Sequence, residues 1–252
     1  MLSQAKQKWI RSLEQKKNRL ESGLFLAEGS KCCTDLIELL PCRFLAATTD
    51  WLKAHPGIRA QEIVEATTDE IRKASLLKNP QEVLAVFETP VYDLKSEQWG
   101  GRLSLALDNV QDPGNLGTIL RIADWFGIHS VVCSKGTVDA FNPKTVQATM
   151  GAIGRIKLYY TDLAEFLSGL NIPVYGTFLD GKVLYVADLQ PEGIVVMGNE
   201  GNGISASTEA FITDKLFIPD YPMGQTGSES LNVSVATAIV CSEFRRRSFV
   251  ND

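Results

Sequence analysis

Downstream of residue 100 the chain alternates short apolar runs with stretches of helical periodicity. The runs 103–107, 130–133, 156–160, 174–178, 194–197 and 216–218 have the length of strands. Between and after them, amphipathic patterns predict helices over 116–126, 143–149, 163–170 and 231–246. This alternation predicts an α/β fold in which a largely parallel sheet carries helices on both faces. Ligands of such sheets sit beyond the carboxyl ends of the strands, so the loops after Leu107, Phe178, Met197 and Ile218 are the places to look.

The first ninety residues read differently. A basic opening helix, a helix over 29–39 and strands over 44–47 and 83–87 predict a small α/β module. The stretch 89–101 has breakers at both ends (Pro90, then Gly100 and Gly101) and weak periodicity, so it serves as a linker. The expected division is residues 1–97 and 98–252.

Composition narrows the function classes. A chain of 252 residues with 44% apolar positions can bury one large core or two modest ones. No run approaches the roughly 20 apolar residues of a membrane span, and the start, with Lys6, Lys8, Arg11, Lys16, Lys17 and Arg19, is not an export signal. A soluble, cytoplasmic protein is expected. Five cysteines without C-x-x-C spacing argue against a zinc site and a disulfide framework, and for a reducing compartment. The net charge of −5 does not advertise a nucleic-acid binder, so such a role must rest on local patches. The opening segment is one, and Arg245–Arg247 another; both also read as solvated helix faces.

Three loops carry chemical residues. In the first, 107–121, Pro113 and Gly114 force a turn and Asn115 stands where a helix N-cap belongs. Leu116, Ile119, Leu120, Ile122, Ala123 and Phe126 share one arc of the following helix, and Arg121 lies on the opposite arc beside Gly117 and Thr118. By itself Arg121 reads as an ordinary surface arginine. The second loop, 195–205, holds Gly198, Gly201 and Gly203, which permit tight turns or close approach to a ligand. Neither the dinucleotide nor the nucleoside-triphosphate glycine fingerprint is present, which disfavours a dehydrogenase or nucleotide hydrolase. The third, 216–236, ends in Ser230-Leu231-Asn232, where Ser230 is also a plausible N-cap. No hydrolase triad fits: Ser230 lacks the G-x-S-x-G context, and His55 and His129 stand far off in sequence.

Taken in order, Asn109-x-x-Asp112-Pro113-x-Asn115-x-Gly117-x-x-x-Arg121, Met197-Gly-Asn-Glu-Gly-x-Gly203, Ile218-Pro219 and Ser230-Leu-Asn-Val-Ser234 resemble the three consecutive motifs of the SpoU/TrmH family of the SPOUT superfamily. The N-terminal run from Lys8 through Gly29 is similar to that family's L30e-like substrate-binding domain. The resemblance implies a deep C-terminal trefoil knot, a homodimer, S-adenosyl-L-methionine (AdoMet) as methyl donor without a metal, and transfer to a ribose 2'-hydroxyl of RNA, with rRNA favoured over tRNA. It assigns Asn115, Arg121, Glu200, Ser230 and Asn232 to the active site. Thr177, Met197, Gly198, Asn199, Gly201, Ile218 and Leu231 would hold AdoMet. Lys8, Arg11, Lys16, Lys17 and Arg19 would contact RNA phosphates. The competing expectation is a non-catalytic L30e-like RNA-binding protein.

The family's usual role for Arg121, toward the attacking hydroxyl, strains the chemistry, because a guanidinium gives up its proton only above about pH 12. Either its site strips that proton, or Arg121 stays cationic, grips a phosphate and stabilises the developing alkoxide.

Overall fold

The computed structural model describes residues 1–222 and 230–248, which form two compact units. One comprises Met1–Val91 with Asp139–Arg155, the other Tyr92–Val138 with Ile156–Asp252. A single cut near residue 97 therefore does not describe them, because residues 139–155 belong with the first.

The first unit contains α1 (Gln4–Ser12), α2 (Lys16–Ser22), β1 (Leu24–Glu28), α3 (Ser30–Ile37), β2 (Cys42–Ala47), α4 (Thr49–Ala54), β3 (Ile63–Glu65), α5 (Thr68–Ala74) and β4 (Val83–Glu88). Its mixed sheet has the order β1-β4-β2-β3, with β4 antiparallel to both neighbours and β3 parallel to β2. Ile10, Leu13, Leu26, Phe44, Ile71 and Leu84 fill its core. The opening helix is two helices rather than one. The break has a physical cause: the guanidinium of Arg19 turns back and donates to the carbonyls of Leu13 and Glu14, both at 2.7 Å, satisfying groups left open where α1 ends. The same side chain pairs with Asp139 at 2.6 Å.

The second unit contains β5 (Leu103–Leu107), α6 (Pro113–Trp125) and β6 (Ser130–Ser134), then, after α7 (Pro143–Thr149) of the first unit, β7 (Lys157–Thr161), α8 (Leu163–Ser168), β8 (Val174–Val183), β9 (Gly193–Met197), α9 (Ala206–Glu209), β10 (Asp214–Phe217) and α10 (Val233–Ser248). Its six strands are parallel throughout, in the order β10-β8-β9-β5-β6-β7. Strands β5, β6 and β9 are buried along their whole length and apolar apart from Ser104, Ser130 and Ser134, as a sheet covered on both sides requires. β8 outruns its expected end because its pairing with β10 skips from Gly176 to Lys182, so residues 177–181 swing out of register and the strand then resumes.

α10 packs on α6 and is pinned at its end. Arg247 donates to the carbonyls of Leu184 and Ala187, and the buried Glu243 accepts from both Arg246 and Arg247. Hydrogen bonds from Arg246 lead the causes that hold the Glu243 carboxyl down at about 2; Arg247 adds to them and burial opposes. All five cysteines are buried and free.

Candidate active site

The strand order decides where a site can form. From β5 the chain moves outward through β6 and β7, then re-enters the sheet on the other side of β5 at β8, so the direction reverses between β5 and β9. The carboxyl ends flanking such a reversal open a crevice, and here they carry the loops that begin at Asp108 and Gly198.

In the first loop the N-cap of α6 is Asp112, whose side chain accepts from the Asn115 amide, with Pro113 as the first helical residue. Asn115 is thus inside the helix, not its cap, and its side chain is free for other partners. Its Nδ2 donates to Glu200 Oε1 at 2.7 Å, and its Oδ1 accepts from Asn232 Nδ2 at 2.9 Å. Asn232 in turn caps α10: its Oδ1 accepts from the Ser234 amide at 3.0 Å and the Ser234 hydroxyl at 2.6 Å. That cap leaves Ser230, the expected one, exposed two residues upstream. Residues 223–229 of the third loop lie outside the described residues.

A carboxylate only accepts, so Glu200 sets the orientation of the Asn115 amide, and the cap sets that of Asn232. The result is a directed chain, Asn232 to Asn115 to Glu200, that ties together residues from all three loops. Glu200, the acceptor at the end of this chain, is exposed.

The second loop closes on itself. Asn199 and Gly203 exchange backbone hydrogen bonds at 2.9 Å, and a Cβ on Gly198 would overlap the backbone of Gly203 and Ile204. Gly203 has a φ of 67°, a left-handed conformation suited to glycine. The Asn199 carboxamide is engaged at both ends: Oδ1 accepts from the amides of Gly201 and Asn202, and Nδ2 donates to the Asn109 carbonyl. Two of the glycines are therefore explained by the loop's own closure, and Asn199 by its shape.

Arg121 does not join this chain. It lies six residues beyond Asn115 on α6, about 9 Å along the axis and about 120° round it. It is exposed and makes no hydrogen bond or ion pair among the described residues. Its face of α6 also presents Thr118 and the indole of Trp125, which is 84% exposed, whereas Gly117, expected on that arc, is buried.

The remaining candidates divide by exposure. Met197 at the end of β9 is buried, Thr177 within β8 and Ile218 after β10 are half-buried, and Leu231 late in the third loop is exposed. In the first unit Lys8, Lys16 and Lys17 are exposed, Lys17 with only a loose partner in Glu21 at 3.7 Å. Arg11 donates to the Ser75 carbonyl at 2.6 Å. Arg19, expected at the RNA surface, is 4% exposed and spent on Asp139 and two carbonyls, so it is a structural residue. His55 stacks on Trp51 and His129 is exposed, neither near the Asn115 chain in sequence or bonding. Among the described residues no group of acidic, histidine or cysteine side chains could hold a metal ion, and no helix is long and apolar enough to cross a membrane.

Two residues escaped the reading of the sequence as site-builders. Asp108, 2% exposed, accepts from the amide and hydroxyl of Ser205 at 2.8 and 2.7 Å and from Asn109 Nδ2 at 2.8 Å. Asn109 sits at φ 56°, held by the Ser134 hydroxyl. The available signal was an Asp-Asn pair directly after a buried strand, since asparagine tolerates the left-handed region.

The model of the SpoU rRNA Methylase family matches residues 102–242, more than half of the chain. The chain belongs to this family. A second model, an MRM3-like substrate binding domain, matches residues 5–85. Among SpoU relatives, the 23S rRNA (guanosine(2553)-2'-O)-methyltransferase RlmP of Bacillus subtilis is 32% identical over 246 residues, covering 93% of this chain and 94% of that one. Among solved SpoU-type structures, a putative RNA methyltransferase of the TrmH family from Porphyromonas gingivalis superposes with a TM-score of 0.87 at 43% identity, covering 98% and 99% of the two chains. An AdoMet-bound rRNA methyltransferase from Sinorhizobium meliloti does so with a TM-score of 0.85 at 30% identity, covering 98% and 97%.

Proposed function

We propose that this protein transfers the methyl group of AdoMet to a ribose 2'-hydroxyl of ribosomal RNA, acting as a cytoplasmic homodimer. The hydrogen-bonded chain Asn232–Asn115–Glu200, which joins all three family motifs, carries the reading.

The residues present suit AdoMet. On adjacent strands, Ile218 follows β10, Thr177 lies where β8 leaves its pairing with β10, and Met197–Gly198 close β9, a set of uncharged residues. Leu231, exposed at the start of the third motif, offers an apolar surface for an adenine ring. When bound, AdoMet supplies a methyl group already activated on a sulfonium, so the protein has no leaving group to protonate. What remains is alignment, which can supply roughly 7–11 kcal/mol, and removal of the hydroxyl proton.

Glu200 and Asn115 hold the edge of the crevice in one arrangement and present acceptors to ribose hydroxyls. Arg121, exposed and without a carboxylate partner among the described residues, acts as a cation: it grips the neighbouring phosphate and stabilises the developing alkoxide while the proton leaves to phosphate or water. Because Arg121 faces away from Asn115 on its own helix, we assign it to the site of the second subunit, with Trp125 beside it as an anchor of the interface. The return of α10 onto α6 and the grip of Arg247 on residues 184–187 support a C-terminal trefoil knot, one of the rare exceptions to unthreaded chains. The N-terminal unit, read as L30e-like, binds RNA through Lys8, Lys16 and Lys17, mainly by phosphate contacts.

Incubation with labelled AdoMet and separate pools of unmodified rRNA and tRNA, followed by digestion and mass spectrometry, tests the reading. A 2'-O-methylated nucleoside from rRNA that disappears in Arg121→Ala is expected. AdoMet and RNA binding without turnover would instead make the chain a binding protein.

A further inference from the structure

We propose that Asp108 is a positioning residue for methyl transfer, acting through the Gly198–Ser205 loop on Glu200 and Asn115; the proposal rests on the methyltransferase reading. It touches neither RNA nor AdoMet in this scheme. Its effect lies in where it holds the loop.

Two consecutive residues at the end of β5 secure both ends of that loop. At the loop's start, the Asp108 amide donates to the Met197 carbonyl at 2.9 Å, and the Asn109 carbonyl accepts from Asn199 Nδ2 at 2.8 Å. At its end, one carboxylate oxygen of Asp108 takes both the amide and the hydroxyl of Ser205. The other oxygen accepts from Asn109 Nδ2 and so fixes the side chain of the residue that holds the start. The strut is braced from behind. The Asn109 amide donates to the Ser134 hydroxyl at 2.9 Å, and Gly136 leaves the space the Asn109 carboxamide occupies, since a Cβ there would overlap it.

Between these two fastenings lies Glu200, which is exposed and whose one hydrogen bond among the described residues is to Asn115. An exposed glutamate on a glycine-rich loop has no intrinsic reason to stay within 2.7 Å of a side chain on α6. It stays because the loop's two ends are registered to the residues that lead into α6. Freeing Ser205 lets the loop pivot about Asn199, which lengthens the Glu200–Asn115 bond and releases Asn115 and, behind it, Asn232. A displacement of about 1 Å at a positioning group can cost on the order of 100-fold in rate.

The test uses the full-length protein and the rRNA pool. Asp108→Ala should lower kcat at least tenfold and weaken AdoMet binding while leaving KM for RNA within twofold. Asp108→Asn keeps one oxygen for both Ser205 bonds but turns an NH2 toward Asn109 Nδ2, so it should restore part of kcat. In the Asp108→Ala protein the Asn115 side-chain amide resonances should move toward solvent-exposed positions, which a loss of stability alone does not cause. A folded Asp108→Ala protein with kcat within twofold of the parent overturns the proposal. If that variant does not fold, Ser205→Ala decides: a threefold or greater loss of kcat supports the strut, and an unchanged kcat overturns it. Absence of methylation by the unaltered protein would fail the enzymatic reading itself, before any variant is compared.

Discussion

At the scale of single residues, the contrast between Arg121 and Asn115 is instructive. Both belong to the first motif, yet Asn115 is locked by two hydrogen bonds and Arg121 by none among the described residues. Arg121→Ala should therefore lower kcat/KM by about 100-fold or more, roughly 3 kcal/mol of transition-state stabilisation, with an unchanged melting temperature. Arg121→Lys should recover little, because an ammonium cannot grip phosphate in bidentate fashion; steady-state kinetics beside calorimetry separates the two quantities. The motif residues were legible in the sequence because their spacing is fixed by one turn and one helix. Asp108 was not, because what defines it is Ser205, ninety-seven residues on, and the left-handed backbone of Asn109. Arg19 was misjudged for a related reason. A basic residue among basic neighbours looks solvated until the acid that neutralises it, Asp139, arrives from 120 residues away.

At the scale of elements, that burial separates two groups of cations on one pair of helices. Arg19→Ala leaves Asp139 and the carbonyls of Leu13 and Glu14 without their donor, and should destabilise the protein by about 3 kcal/mol in denaturant titrations. Replacing Lys8, Lys16 and Lys17 with alanine should cost almost no stability. It should weaken RNA binding and flatten its salt dependence, with AdoMet affinity unchanged. Helix α10 gives a third measurable consequence. The Glu243 carboxyl, held at about 2 against an ordinary 4.5, contributes stability that is complete above pH 4.5 and is lost as the pH falls toward 2. Glu243→Gln should lower the melting temperature at neutral pH and flatten its decline over that acid interval. The elements themselves were mostly visible as periodicity, and α7 was read at its observed bounds. What was invisible depended on partners: β3 is three residues long and exists by pairing with β2, and the detour of residues 177–181 exists because β10 takes up β8 again beyond it.

At the scale of the molecule, the proposed site lies beyond the carboxyl ends of the parallel strands, whereas Arg121 stands about 120° round α6 from Asn115, apart from the proposed site of its own chain. A homodimer in which each subunit lends Arg121 to the other resolves this, and subunit mixing tests it. Arg121→Ala and Glu200→Ala should each be nearly inactive alone. Unfolded together and refolded as a mixture, half of the dimers pair one variant with the other, and each of these holds one site with both residues intact, so about a quarter of the parental activity should return. If both residues act within a single chain, a mixed dimer contains no intact site and the mixture stays as inactive as its parents. Trp125→Glu, placed on the exposed face beside Arg121, should abolish the recovery by preventing assembly, which sedimentation would register as a shift to monomer without loss of the folded sheet.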